Sequence, residues 1–156
     1  MSAESSFVMG DFWPGNVLVS LDENSRVKTI SVIDWELAKT GLPGHDLGQF
    51  CAELYLLRSF DPISGEFALA TSDMTSSFLK AYSRFKDIPL AQYVITHMGA
   101  HLVAWTPRIP WGSNQRTRQV VKEGVKYVVE PWVESDDKKL GEWFSHTSIS
   151  VLATNR

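Results

Sequence analysis

Cysteine is almost missing from this chain. Cys51 stands alone among 156 residues, so no internal disulfide can form, and a reducing, cytoplasmic setting is the expectation. An excess of charge of one sign is missing too. Fifteen Lys and Arg against 18 Asp and Glu give a net charge of -3 and a pI near 5.8, so no overall field favours nucleic acid or an anionic membrane. No apolar run reaches the roughly 20 residues needed to span a bilayer. Residues 1–7, MSAESSF, have neither the charged start nor the apolar core of a secretory signal. Repeats and low-complexity tracts are absent as well, which excludes solenoids and arrays.

What is present suits one folded domain over residues 1–156. A hydrophobic share of 44% and a charged share of 21% are ordinary for a globular chain with a core. The organisation changes along the sequence. A polar, turn-rich knot, FVMGDFWPGNVLV, opens it at residues 7–19. Residues 17–21 and 27–34 are β-branched segments around the polar cluster 22–26 and read as an antiparallel hairpin.

From His45 onward the apolar spacing turns helical. Leu47, Phe50, Cys51, Leu54 and Leu57 share one helix face. After a break at residues 60–65, Met74, Phe78, Ala81, Tyr82 and Phe85 share another. Pro89 can open a third helix lined by Val94, Met98, Leu102 and Trp105 and ended by the loop at 106–110. Val121, Val125, Val128 and Val129 mark a fourth, ended near Pro131, and 136–144 a short fifth. The predicted fold is α+β and mostly α-helical: a loop and hairpin at 7–36, then four to five helices over 45–146. In this arrangement the helices cover one another and one face of the hairpin.

The chemistry lies where the hairpin returns. Asp11 and Asn16 sit in the opening loop, and Asp34 follows the second strand, so two carboxylates and an amide are expected to converge. Such oxygens suit Mg²⁺ shared with phosphate. Phosphoryl transfer also needs a carboxylate to orient an attacking hydroxyl and take its proton. The spacing D-x-x-x-x-N, then strand-turn-strand and a second Asp, supplies these parts.

Three segments in order carry a family resemblance: Gly10-Asp11 with Asn16, then Ile33-Asp34-Trp35-Glu36, then His45-Asp46-Leu47-Gly48. They resemble the catalytic loop H-G-D-x-x-x-x-N, the metal-binding Asp and a following helix start of the aminoglycoside phosphotransferase and choline kinase-like small-molecule kinases, relatives of the protein kinase fold. The resemblance implies that Asp11 is the catalytic base, and that Asn16 and Asp34 hold Mg²⁺ and through it the nucleotide, ATP or another nucleoside triphosphate. It implies that Asp46 supports the loop through backbone N–H groups. The partner would be a small-molecule hydroxyl acceptor.

Two departures qualify it. Met9 stands where the family has His and keeps an apolar contact without the polar one. Ten residues precede Asp11, and no G-x-G-x-x-G or V-A-I-K-like stretch occurs, so a kinase-like C-lobe without its N-lobe is the expectation. That leaves an alternative function: a non-catalytic kinase-like module that binds a partner or small ligand. On either reading a separate N-lobe, or self-association through the exposed lobe interface, would supply a further partner.

Other residues have plainer readings. Asp11 and Asn16 alone could merely satisfy a turn, and Asp34 alone could cap a strand end. His97 and His101 have the i,i+4 spacing of a metal pair but lack the Glu of H-E-x-x-H, so two partly buried helix histidines are expected. His45 reads as loop packing and Cys51 as a buried thiol. The basic residues Arg116, Arg118, Lys122 and Lys126 read as a solvated helix face. Trp105 and Trp111 flank a loop that could line an acceptor pocket or pack in the core.

Overall fold

The computed structural model describes residues 5–60, 65–82 and 88–153. Four short strands come first: β1 (Ser6–Val8), β2 (Val17–Leu21), β3 (Val27–Val32) and β4 (Lys39–Gly41). Six helices follow: α1 (Gly44–Phe60), α2 (Gly65–Ala81), α3 (Ile88–Trp105), α4 (Asn114–Val133), α5 (Asp137–Ser145) and α6 (Ser150–Ala153). The described chain is thus mostly helical with a small β part. No described helix is long and apolar enough to cross a membrane.

The strands form two antiparallel pairs, β1 with β4 and β2 with β3. Val17 faces Val32 across the predicted hairpin, and Asp22 Oδ1 accepts the N–H groups of Asn24 and Arg26 to close its turn. The β1–β4 pair, Phe7 opposite Thr40, brackets the opening loop and was not foreseen. Three-residue strands more than thirty positions apart carry no periodicity to read.

The core is helical, and α3 is its centre. Ala91, Val94, Ile95, Met98 and Leu102 are fully buried on α3 between α1 and α4. Glycines let the backbones approach. A Cβ on Gly48 of α1 would fall 2.7 Å from the Val94 carbonyl oxygen, and one on Gly99 of α3 would fall 2.5 Å from that of Gly124 in α4.

The first five helices lie near where the spacing put them, but α4 runs through Pro131 to Val133, α6 was not foreseen, and several faces differ. On α2 the buried line is Thr71, Thr75 and Leu79, whereas Met74 is half exposed. Threonines can be buried there because their hydroxyls donate back to the carbonyls of Ala68 and Thr71. On α4 the buried line is Val120, Gly124, Tyr127 and Pro131, while Val125 and Val129 face outward. Small Gly124 decides that rotation by admitting α3. Trp105 is exposed at the end of α3, and on α1 it is Leu56, not Leu57, that is fully buried. The break at 61–64 and Phe85 lie outside the described residues.

One expectation fails outright. No described helix covers a face of the β2–β3 hairpin: Leu18, Val19, Leu21, Val27 and Ile30 are all more than half exposed. The hairpin stands off the helical body because α1 begins at Gly44 beneath the opening loop, so the helices pack against α3 and under the loop instead.

Candidate functional site

The opening loop is fastened to the helical body at four levels. Val8 and Met9 are buried, so the strand end that feeds the loop is anchored by apolar contact, Met9 included. Phe12 stacks on Phe50 of α1, ring centroids 4.9 Å apart, and lies against Phe78 of α2 at 5.8 Å. The third fastening is electrostatic. Asp46, in the first turn of α1, accepts the N–H of Met9 at 2.7 Å with Oδ2 and that of Gly10 at 2.9 Å with Oδ1. A carboxylate taking two backbone donors is a strong, directional clamp.

Between these donors the backbone turns at Gly10, where φ is +85° and a Cβ would sit 2.5 Å from the Leu37 carbonyl oxygen. Only glycine meets both conditions. The next residue, Asp11, therefore leaves a backbone fixed on both sides.

The fourth level holds the Asp11 side chain itself. Gln49 Nε2 donates to Asp11 Oδ1 at 2.6 Å. Asn16, buried at the end of the 3-10 turn Pro14–Asn16, donates through Nδ2 to the Asp11 carbonyl at 3.0 Å and reaches Oδ2 at 3.5 Å. Both of those neighbours are acceptors, so the Asn16 amide nitrogen faces them, and Oδ1 is the Asn16 side-chain atom that could hold a cation.

Asn16 also ties the loop to the far end of the hairpin, because the Ile33 N–H donates to the Asn16 carbonyl at 3.0 Å. Asp34 is the next residue. Its φ of +67° is left-handed, a conformation that Asp tolerates better than most residues. The donor chemistry fits Mg²⁺, which binds through one or two protein oxygens alongside phosphate and water. No group of three His, Cys, Asp or Glu suited to a metal occurs among the described residues, so an all-protein cage is not offered.

Gln49 was missed in the sequence. The available signal was its position three residues after Asp46 on the same helix, which puts both side chains on the face beneath the loop.

The histidines form a separate polar seam between α1 and α3. His45 stacks on His97, centroids 4.7 Å apart, and His101 Nε2 lies 2.7 Å from Glu53 Oε1. They turn to different partners and make no joint metal site. Burial pulls the His97 imidazole down to about 4, reinforced by His45 and His101 and partly opposed by Asp46.

Because the fold disfavours its charged form, the unfolded chain takes up this proton near pH 6.5 and the folded chain only near 4. His97 therefore costs nothing above pH 6.5, and stability falls as pH drops from 6.5 toward 4. After discounting for the solvent that reaches the ring, we expect a loss of about 1–2 kcal/mol. Urea melts at pH 7 and 4.5 measure it. His97→Gln should flatten that slope, and an unchanged slope would clear His97 of the effect.

The remaining candidates pack. Burial pushes the Cys51 thiol up to about 12, so it is no nucleophile. Trp111 stacks on Phe60 at 5.8 Å, and Arg108 lies over the Trp105 ring at 5.4 Å, so the two tryptophans engage different neighbours. Arg116 donates through Nε to the Ser59 carbonyl, and Lys126 pairs with Glu123 of its own helix.

Comparison with known proteins bears on the loop. The family model described as "Phosphotransferase enzyme family" matches residues 2–86, a span that holds the loop, the hairpin and α1. A 4-hydroxytryptamine kinase of Psilocybe cyanescens is 35% identical over 158 residues, covering 100% of this chain and 41% of that protein. A 4-hydroxytryptamine kinase of Psilocybe cubensis is 34% identical over 128 residues, covering 80% of this chain and 34% of that protein. The chain thus spans well under half the length of the curated relatives it matches.

Proposed function

The chain belongs to the phosphotransferase enzyme family, and from that premise we propose that it is the catalytic C-lobe of a nucleoside triphosphate-dependent small-molecule kinase. The reading is carried by one observation: the Asp11 carboxylate is held by Gln49 and Asn16 beside the strand end that leads into Asp34.

In the proposed reaction, the acceptor hydroxyl oxygen bonds to the γ-phosphorus while its proton passes to Asp11. The bond from that phosphorus to the bridging oxygen breaks, and the nucleoside diphosphate leaves with the electron pair. Asn16 Oδ1 and the Asp34 carboxylate would hold Mg²⁺, which neutralises charge on the phosphates. Asp46 and Gly10 keep the loop from relaxing during the transfer.

The relatives' name suggests the acceptor to try first, a hydroxyl on an indole bearing an alkylamine. An aminoglycoside has no such support. The phosphate-covering Gly-rich loop and its Lys are not in this sequence, so those nucleotide contacts would come from a separate β-rich lobe.

The exposed apolar residues of the β2–β3 hairpin also favour a second reading, a kinase-like module whose task is to dock a partner there. Transfer separates the two. The full chain is incubated with Mg²⁺ and ATP and with 4-hydroxytryptamine, amino alcohols or amino sugars, alone and with the β-rich lobe of a relative added. Phosphorylated 4-hydroxytryptamine is the expected product. A chain that makes no phosphate ester in either form, and whose melting temperature does not move in millimolar Mg²⁺ and ATP, would leave the docking module.

A further inference from the structure

We propose that Gln49 is a positioning residue that fixes which oxygen of Asp11 receives the proton, a step that rests on the phosphotransferase reading above. The Asp11 carboxylate has two unequal oxygens. Oδ1 takes the Gln49 amide at 2.6 Å, a short, charge-assisted bond. Among the described residues, Oδ2 has only the Asn16 amide at 3.5 Å, the edge of hydrogen-bond reach, because that amide is occupied with the Asp11 carbonyl at 3.0 Å. Oδ1 therefore holds the group in place, and Oδ2 keeps the free lone pairs for an acceptor hydroxyl.

Without Gln49 the carboxylate could rotate about its last bond and present either oxygen. With it, one orientation persists before the acceptor arrives, which removes a rotational cost from the reacting geometry. The residue type suits the task. Lys or Arg at this position would add a full positive charge that favours the ionised carboxylate and weakens it as a proton acceptor. Glu would set acceptor against acceptor. A neutral amide fixes direction without acceptor repulsion and favours the ionised carboxylate less than a full positive charge does.

The helix that carries Gln49 is itself immobilised. Asp46, one turn earlier on the same face, bonds the Met9 and Gly10 N–H groups, and Gly44 and Gly48 bring the α1 backbone hard against α3. Loop backbone and Asp11 side chain are thus referenced to one rigid element, a separation of tasks that a single clamp would not give.

Two readouts on the full chain test this. The first needs no activity: the Gln49 side-chain amide is followed by ¹H–¹⁵N NMR, identified by its loss in Gln49→Met. Its bonded proton should lie downfield in the wild type and return to the free-amide position in Asp11→Ala. A Gln49 signal indifferent to Asp11→Ala would overturn the contact.

The second is kinetic, with Mg²⁺, ATP and the acceptor used for the parent. Gln49→Met should lower kcat about 10- to 100-fold while both KM values stay within about twofold. Gln49→Asn, too short to reach Oδ1, should match it, which guards against a misfolded methionine variant. Full kcat in either folded variant, or a loss expressed only in KM, would refute the positioning role. If the parent transfers no phosphate with or without the added β-rich lobe, and its melting temperature does not move with Mg²⁺ and ATP, the phosphotransferase reading fails and the NMR arm alone decides whether Gln49 fixes the carboxylate.

Discussion

Asp11→Asn should lower phosphoryl transfer by about 10²–10⁴-fold while leaving the melting temperature within about 2 °C of the parent. The substitution is isosteric, and the Asn16 bond to the residue 11 carbonyl does not depend on the side chain. Gln49 can still donate to the amide oxygen that replaces Oδ1. What disappears is an oxygen able to take a proton at the position of Oδ2. The loss should therefore fall on kcat, with nucleotide KM little changed, because Asn16 and Asp34 remain. A variant that keeps more than half of the parental kcat would remove Asp11 from the proposed chemistry.

The contrast between this residue and its neighbours explains what the sequence made legible. Gly10, Asp11, Asn16, Asp34 and Asp46 fall in a fixed order within 37 positions, and each residue type has few uses in such spacing. The hairpin was equally legible, since β-branched runs flank a turn whose Asp22 satisfies two backbone donors. Gln49 carried no such signal. An amide on a helix is ordinary until the loop it touches is known, and that contact spans 38 positions. The β1–β4 pair was hidden for the same reason: it rests on tertiary closure rather than on pattern.

Helix faces failed differently. Valine weight pointed to Val125 and Val129 on α4, and an apolar side chain pointed to Met74 on α2. The fold buried Gly124, Thr71 and Thr75 instead. At Gly124 the missing side chain lets α3 come close, and at Thr71 and Thr75 the hydroxyls are satisfied by carbonyls of their own helix. Hydrophobicity alone does not register either feature. The uncovered hairpin is the opposite error, apolar residues expected inside that stand in solvent.

The crossing of α3 and α4 gives the largest expected effect on stability. Gly99→Ala should cost about 3 kcal/mol and lower the melting temperature by roughly 6–10 °C. A Cβ at Gly99 would stand 2.5 Å from the Gly124 carbonyl oxygen and 2.8 Å from the Tyr127 Cβ, and neither backbone can yield without separating the helices. Gly141→Ala on α5 is the matched control, since nothing lies within 4 Å of its Cβ position. There the gain in helix propensity acts unopposed and should raise stability by about 0.5–1 kcal/mol. The two substitutions make the same change in intrinsic propensity, so their difference isolates the crossing. Urea denaturation measures both, and equal effects at the two positions would refute the close approach. The consequence reaches the site, because α3 also packs its Val94 and His97 against Gly48 of α1, the helix that holds Asp46 and Gln49. Displacing α3 from α4 should therefore move the floor of the loop, and in Gly99→Ala the Gln49 amide should lose part of its downfield shift even at temperatures where the chain remains folded.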